Sequence, residues 1–155
     1  MSAQDKIQQW GYTCGSEGEA QALVWPVRFK PGFTFALVLA GLLFKQPFFL
    51  MAAGLLGIIG SFVPRLSWID GIYNRIVRPL FKSPALGADP LLRRIVCGLA
   101  DIFIWGAGYA VFEGKLLPAW ILGGLVLLLS GIVVLSGICL PLYLIYNVSK
   151  RSPYP

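Results

Sequence analysis

CGLADIFIWGAGYAVF, Cys97 to Phe112, decides how this chain is read. One residue in the stretch is charged, Asp101; the rest are apolar, aromatic or glycine. With Ile95 and Val96 before it, the run is long enough for a helix that crosses a bilayer, which needs about 20 mostly apolar residues. Three further apolar stretches lie outward from it. Val27 to Phe44 and Pro47 to Val63 flank Lys45-Gln46 and read as a tight hairpin, with Arg28 and Lys30 snorkelling at its start. Pro118 onward runs without charge to Ser149, too long for one straight span. Pro141 is the expected bend, because it cannot bond back to the carbonyl of Gly137.

The bulk composition agrees. Of the 155 residues, 57% are hydrophobic and 13% charged, and the mean hydropathy is +0.73. Soluble domains carry about 25% charged residues. The expected architecture is all-α, an integral membrane four-helix bundle of two helical hairpins. Its spans cover about 27–44, 47–63, 95–112 and 118–140. A polar cytoplasmic tail (1–26) precedes the membrane domain (27–147), and a short tail (148–155) follows. The opening residues lack the basic start and apolar core of a signal peptide, so the mature chain is expected to begin at or near Met1.

Direction follows from the basic residues. Eleven of the thirteen lie before the first span, between the second and third, or after the fourth. Lys45 and Lys115 alone lie on the other side. This split places both termini and the central loop in the cytoplasm, and an even number of spans satisfies it. Trp25, Trp68, Tyr73, Tyr143 and Tyr146 fall near the inner boundary and Trp120 near the outer one. The formal net charge of +6 flanks apolar segments, so the bilayer is the expected partner and nucleic acid is not.

Within the central loop, Ile69, Ile72, Tyr73, Ile76, Val77 and Leu80 recur at helical spacing. Asp70, Asn74, Arg75 and Arg78 take the other face. The pattern predicts an amphipathic helix over about 67–78, with Ser67 as N-cap and Pro79 as its end. Arg75, Arg78 and the following Lys82 are the expected contacts to lipid head groups.

The order of segments resembles a family of small bacterial four-helix membrane proteins catalogued as a domain of unknown function. PVRFKPGFTFALVLAGLLF (26–44), YNRIVRPLF (73–81), RRIVCGLADIFI (93–104) and GICLPLYLIYN (137–147) carry the likeness, over roughly Val27 to Asn147. The resemblance implies a bacterial inner-membrane location. Many members end in Cys-x-x-Cys near a tyrosine. Cys139 matches the first cysteine, but Leu142 stands at the second, so the dithiol that the resemblance implies is incomplete here.

Candidate chemistry centres on Asp101. A carboxylate within a span costs about 2.5–3.5 kcal/mol and faces the bundle interior. Cys97 precedes it by one turn, and Cys139 lies at similar depth on the fourth span. Asp101 can donate as a neutral acid to a freed carbonyl such as that of Gly137, pair with Arg65 or Arg94, or relay protons or bind a polar head group. The favoured role is an anchor tying the third span to the inner end of the fourth. Trp105 and Tyr109 are candidate walls of a cofactor pocket. Ala53, Gly57 and Ser61 form a small-residue row suited to helix packing, within the bundle or against another membrane subunit. The chain has no histidine, and no metal cluster or Ser–His–Asp set can be assembled. No cofactor is required by the sequence, and its identity stays unknown. Three functions are open: a non-catalytic small subunit or assembly factor of a larger membrane complex; a redox or sulfur-handling protein using Cys97 or Cys139 near Asp101, with a quinone; and an oligomeric transporter.

Overall fold

Ser16 and Glu19 start the first long helix much earlier than the apolar pattern suggests. The computed structural model describes residues 2, 5, 7, 8, 10–12, 15–63, 67–81 and 89–151, except for the side chains of 81, 146 and 148–151. Helix α1 is Glu17–Leu43. The Ser16 hydroxyl accepts from the Glu19 amide at 3.3 Å. The Glu19 carboxylate accepts from the Gly15 amide at 3.2 Å. This reciprocal capping satisfies donors the first turn would leave orphaned. The helix therefore begins ten residues before Val27, inside the expected tail.

Helix α2 is Pro47–Phe62. The central segment follows as α3 (Trp68–Ile72), a π-helical turn (Tyr73–Val77) and α4 (Arg78–Phe81). The remaining helices are α5 (Leu91–Phe112), α6 (Leu116–Ser136) and α7 (Leu140–Arg151). The fold is all-helical, with no strand among the described residues. α1, α5 and α6 are each long and apolar enough to cross a membrane; α2 is apolar but shorter. Leu135, 85% exposed, and Phe62, 81% exposed, typify the apolar exterior that suits lipid.

The helices do not pair as two independent hairpins. α2 lies along α5, α5 along α6, and α6 along α1, while α1 and α2 meet little. Beside their shared turn, Leu50 fills the space over Gly41. The bundle is thus a ring with one loose side, between α1 and α2. Both hairpin turns sit at the same end and share a device. Lys45 (φ +50°) and Gly114 (φ +73°) each take the left-handed conformation just past a helix. The Gln46 amide then reaches the Gly41 carbonyl at 3.0 Å, and the Lys115 amide reaches Ala110 at 2.9 Å.

Two packed cores divide the length. One, toward the turns, holds Val38, Leu42, Leu50, Ile104, Ala119 and Val126. The other, at the opposite end, holds Ile7, Trp10, Val27, Tyr73, Cys139 and Leu142. Ile7 and Trp10 come from the expected polar tail, so part of that tail docks in the second core.

The central segment differs from the expected single helix over 67–78. Ser67 stands at the N-cap position without a side-chain cap bond. The chain also passes Pro79 and stays helical to Phe81. A proline inside an α-helix clashes with the carbonyl four residues back, here that of Arg75. The π-helical turn widens the backbone just before it, and the Arg78 amide bonds to the Tyr73 carbonyl five residues back. Ile69 and Tyr73 are buried. Tyr73 meets Phe29 at 5.3 Å and Trp68 meets the edge of Phe33 at 5.6 Å, between ring centroids, which fastens the segment to α1.

Candidate functional site

Two prolines set up the site. Pro31 lies inside α1 and has no N–H for the carbonyl of Val27. Pro141 likewise leaves the carbonyl of Gly137 without its helical donor. Gly137 takes φ +71° and ends α6, so the bend expected near Pro141 falls at Gly137. A freed carbonyl within a membrane bundle needs another donor. Arg93 Nη2 donates to the Val27 carbonyl at 3.2 Å. Trp10 Nε1 donates to the Gly137 carbonyl at 3.2 Å. The two donors stack, with the Arg93 guanidinium 4.7 Å from the Trp10 ring centroid.

Arg93 is 1% exposed, so its charge must be matched locally. Asp89, one turn earlier, lies 3.0 Å from Arg93 Nη1. Lys30 Nζ from α1 reaches the other Asp89 oxygen at 2.6 Å and Asp70 at 3.6 Å. The Tyr12 hydroxyl donates to Asp89 at 2.8 Å and accepts from Arg93 Nη1 at 2.9 Å. Two cations and two carboxylates therefore close on one another. They join α1, α3, α5 and the N-terminal segment. Burial alone would raise the Asp89 carboxyl, but Arg93 and Lys30 together hold it below the usual carboxylate range. Burial pushes the Tyr12 phenol up; Arg93 opposes this and the Asp89 charge adds to it.

Beside this cluster lies a cavity of about 250 Å³ bounded by α1, α2, α3, α5 and α6. Arg93, Cys97 and Asp101, at four-residue spacing on α5, all line it, as do Lys30, Ser130 and Cys139. Asp101 is held from α2. Its carboxyl group fills the space beside Gly57 and is hydrogen-bonded by the Ser61 side chain. The register is antiparallel along this seam. A Cβ on Gly108 would meet Met51, one on Gly54 would meet the Trp105 and Asp101 backbones, and one on Gly98 would meet Ser61.

These contacts correct two expectations and agree with a third. Asp101 ties the third long apolar segment to α2, not to the inner end of the fourth; the Gly137 carbonyl is occupied by Trp10. The small-residue row packs within the chain against α5, one of the two expected uses: Gly57 and Ser61 meet Asp101 and Gly98, and Gly54 beside them meets the Trp105 backbone. Trp105 and Tyr109 do not line the cavity. Four residues of α-helix turn about 40° beyond a full revolution, so the stripe that faces the cavity at Cys97 has rotated outward by Tyr109. Trp105 and Tyr109 instead stack on each other, centroids 5.9 Å apart, at 39% and 44% exposure.

Arg75 and Arg78 are exposed on the central segment. Lys82, Arg65 and Cys14 lie outside the described residues. Arg94 makes no pair with Asp101, and its Nε is buried without a partner among the described residues. No group of metal-ligating side chains forms among the described residues. Sequence reasoning missed Tyr12, Lys30, Asp89 and Arg93. The Asp89–Arg93 spacing of one helical turn was the available signal.

The profile of one protein family, the domain of unknown function DUF4395, matches residues 25–151. The chain belongs to the DUF4395 family. The DUF4395 region contains Lys30, Asp89, Arg93 and Asp101, whereas Trp10 and Tyr12 lie before it. The stacked lid over Arg93 is therefore built from residues outside the matched region. Leu142, three residues after Cys139, is 1% exposed within the second core. No curated protein and no solved structure matches the chain.

Proposed function

We propose that this DUF4395 protein crosses the bacterial inner membrane four times, with both termini cytoplasmic, as a non-catalytic small subunit or accessory factor of a larger membrane complex. The loose α1–α2 side carries this reading. A closed bundle satisfies its own helix faces, whereas this ring leaves one flank to be completed by another apolar segment. The buried charges, meanwhile, neutralise one another, which suits a fastening more than a reacting centre. At 16 residues, α2 spans about 24 Å, and local thinning of the bilayer accommodates it. Lys45 and Lys115 share the turn end, which supports placing that end outside. Arg75 and Arg78 then face inner-leaflet phosphates, with exposed Ile76 and Leu80 dipping into the acyl boundary.

Purification of the tagged protein in gentle detergent, with identification of co-purifying membrane proteins, tests this. A stoichiometric partner lost on Leu56→Trp, which blocks the loose flank, is the expected result. A lone monomer contradicts the proposal.

One observation favours a second reading, membrane redox or sulfur chemistry: Cys97, Cys139 and Asp101 line the same cavity. Free-thiol counting after exposure to a short-chain quinone tests it. Joining of Cys97 and Cys139 in a disulfide, with the quinone reduced to its quinol, supports the reading, and retention of both as free thiols contradicts it.

A further inference from the structure

The cavity next to the charge cluster is lined by two residues that each carry one side-chain donor without an acceptor among the described residues. Trp68 Nε1 and Arg93 Nε are both buried and unpartnered among the described residues, and both residues line the cavity. Buried donors are almost always paired, and an unpaired one is a standing cost. Trp68 cannot easily swing away, because its ring is held in a T-shaped contact with Phe33. The remaining walls are mostly apolar, with Leu56, Val96 and Leu129 among them. Water occupies about 30 Å³ per molecule in bulk. Several waters would thus be needed to fill the space, and few polar groups stand ready to hold them.

The charge cluster offers no unmatched cation to an anionic occupant. Lys30 and Arg93 are already matched by Asp70 and Asp89. An added anion would also meet the Asp101 carboxyl, and the groups left unpartnered are N–H donors, which suit an acceptor rather than a cation.

We propose that the cavity binds an uncharged, largely apolar molecule through a carbonyl oxygen that accepts from the indole N–H of Trp68, with the Nε–H of Arg93 as the second donor. The loose α1–α2 side gives such a molecule a way in from lipid. Two membrane sources carry this chemistry: the ester carbonyl of an acyl lipid and the ring carbonyl of a quinone. The site shares its cavity with the redox reading but requires neither a reacting thiol nor a partner subunit, so binding and thiol oxidation report on the two separately.

Isothermal titration of the full-length protein in detergent, with a short-chain benzoquinone in one arm and a short-chain diacylglycerol in the other, tests this. Saturable binding in either arm is expected and identifies the source. Trp68→Phe keeps an aromatic ring and removes the donor, and should weaken binding about fivefold to tenfold. Leu129→Trp fills the cavity and should abolish binding; Ala100→Phe does the same from α5 if that variant does not fold. The proposal is overturned if neither probe binds saturably. It is equally overturned if Trp68→Phe binds as tightly as the native protein.

Discussion

The carboxyl group of Asp101 occupies the space that a side chain on Gly57 would need. α2 and α5 can approach this closely only because position 57 has no Cβ. Gly57→Ala should therefore destabilise the protein by about 1–3 kcal/mol, the range for overpacking a fitted interface. Asp101→Ala removes the obstruction, so the double variant should be more stable than the sum of the single effects. Asp101→Asn keeps the bulk and should give no such relief. Thermal unfolding in detergent of the four variants distinguishes these outcomes.

Arg93 is the centre of the charge cluster. Arg93→Met leaves the Val27 carbonyl without its donor and Asp89 with Lys30 as its remaining cation. Breaking a buried pair in this way costs about 3–5 kcal/mol. Arg93→Lys should recover only part of the loss. A single ammonium cannot reach Val27, Asp89 and Tyr12 together, and it loses the planar stack on Trp10. Because Trp10 and Tyr12 rest on Arg93, limited proteolysis should cut the N-terminal segment sooner in both variants.

The same cluster sets a pH window. Asp89 is held below its ordinary value of 3.8. Its contribution to stability is complete above that value and lost as pH falls through the lower folded value. Tyr12 is held above its ordinary value of 10.0. Its contribution is complete below that value and lost as pH rises through the higher folded one. The charged and titratable neighbours are Arg93, Lys30 and Asp70, and both cations stay charged through the acid limb. The melting temperature should be level from about pH 5 to pH 9 and fall below about pH 4. Asp89→Asn should lower the plateau and flatten the acid limb. An unchanged acid limb in that variant would remove Asp89 from the account.

The hairpin turns predict opposite responses at matching positions. Lys45 holds φ +50° with a side chain that disfavours it. Lys45→Gly should stabilise the protein by about 1 kcal/mol, and Gly114→Ala should destabilise it by about 1–2 kcal/mol. Chemical unfolding of the two variants checks both signs.

Hydropathy and proline position made much of this legible. Long apolar helices, the bend before Pro141 and a small-residue face on α2 all follow from local pattern. The early start of α1 was also written locally, in Ser16 and Glu19, but a polar stretch ahead of an apolar one reads first as a tail. The charge cluster was not legible in this way. Hydropathy registers that Lys30 and Arg93 are charged but not what they meet. Pro31 and Pro141 announce that two carbonyls need donors, yet those donors are 66 and 127 residues away in sequence. Asp101 stood out for a similar reason. Its cost was visible, whereas the glycine that makes room for it lay on another helix.

Everything described here rests on α2 running along α5 in one antiparallel register. Cβ atoms joined by a disulfide lie about 3.8 Å apart, and a Cβ on Gly98 would stand 3.4 Å from that of Ser61. In a chain whose native cysteines are replaced by serine, Ser61→Cys with Gly98→Cys should cross-link nearly completely under mild oxidation in membranes, while Ala53→Cys with Gly98→Cys should not. Cross-linking by the Ala53 pair, with none by the Ser61 pair, would contradict the register and with it the placement of Asp101.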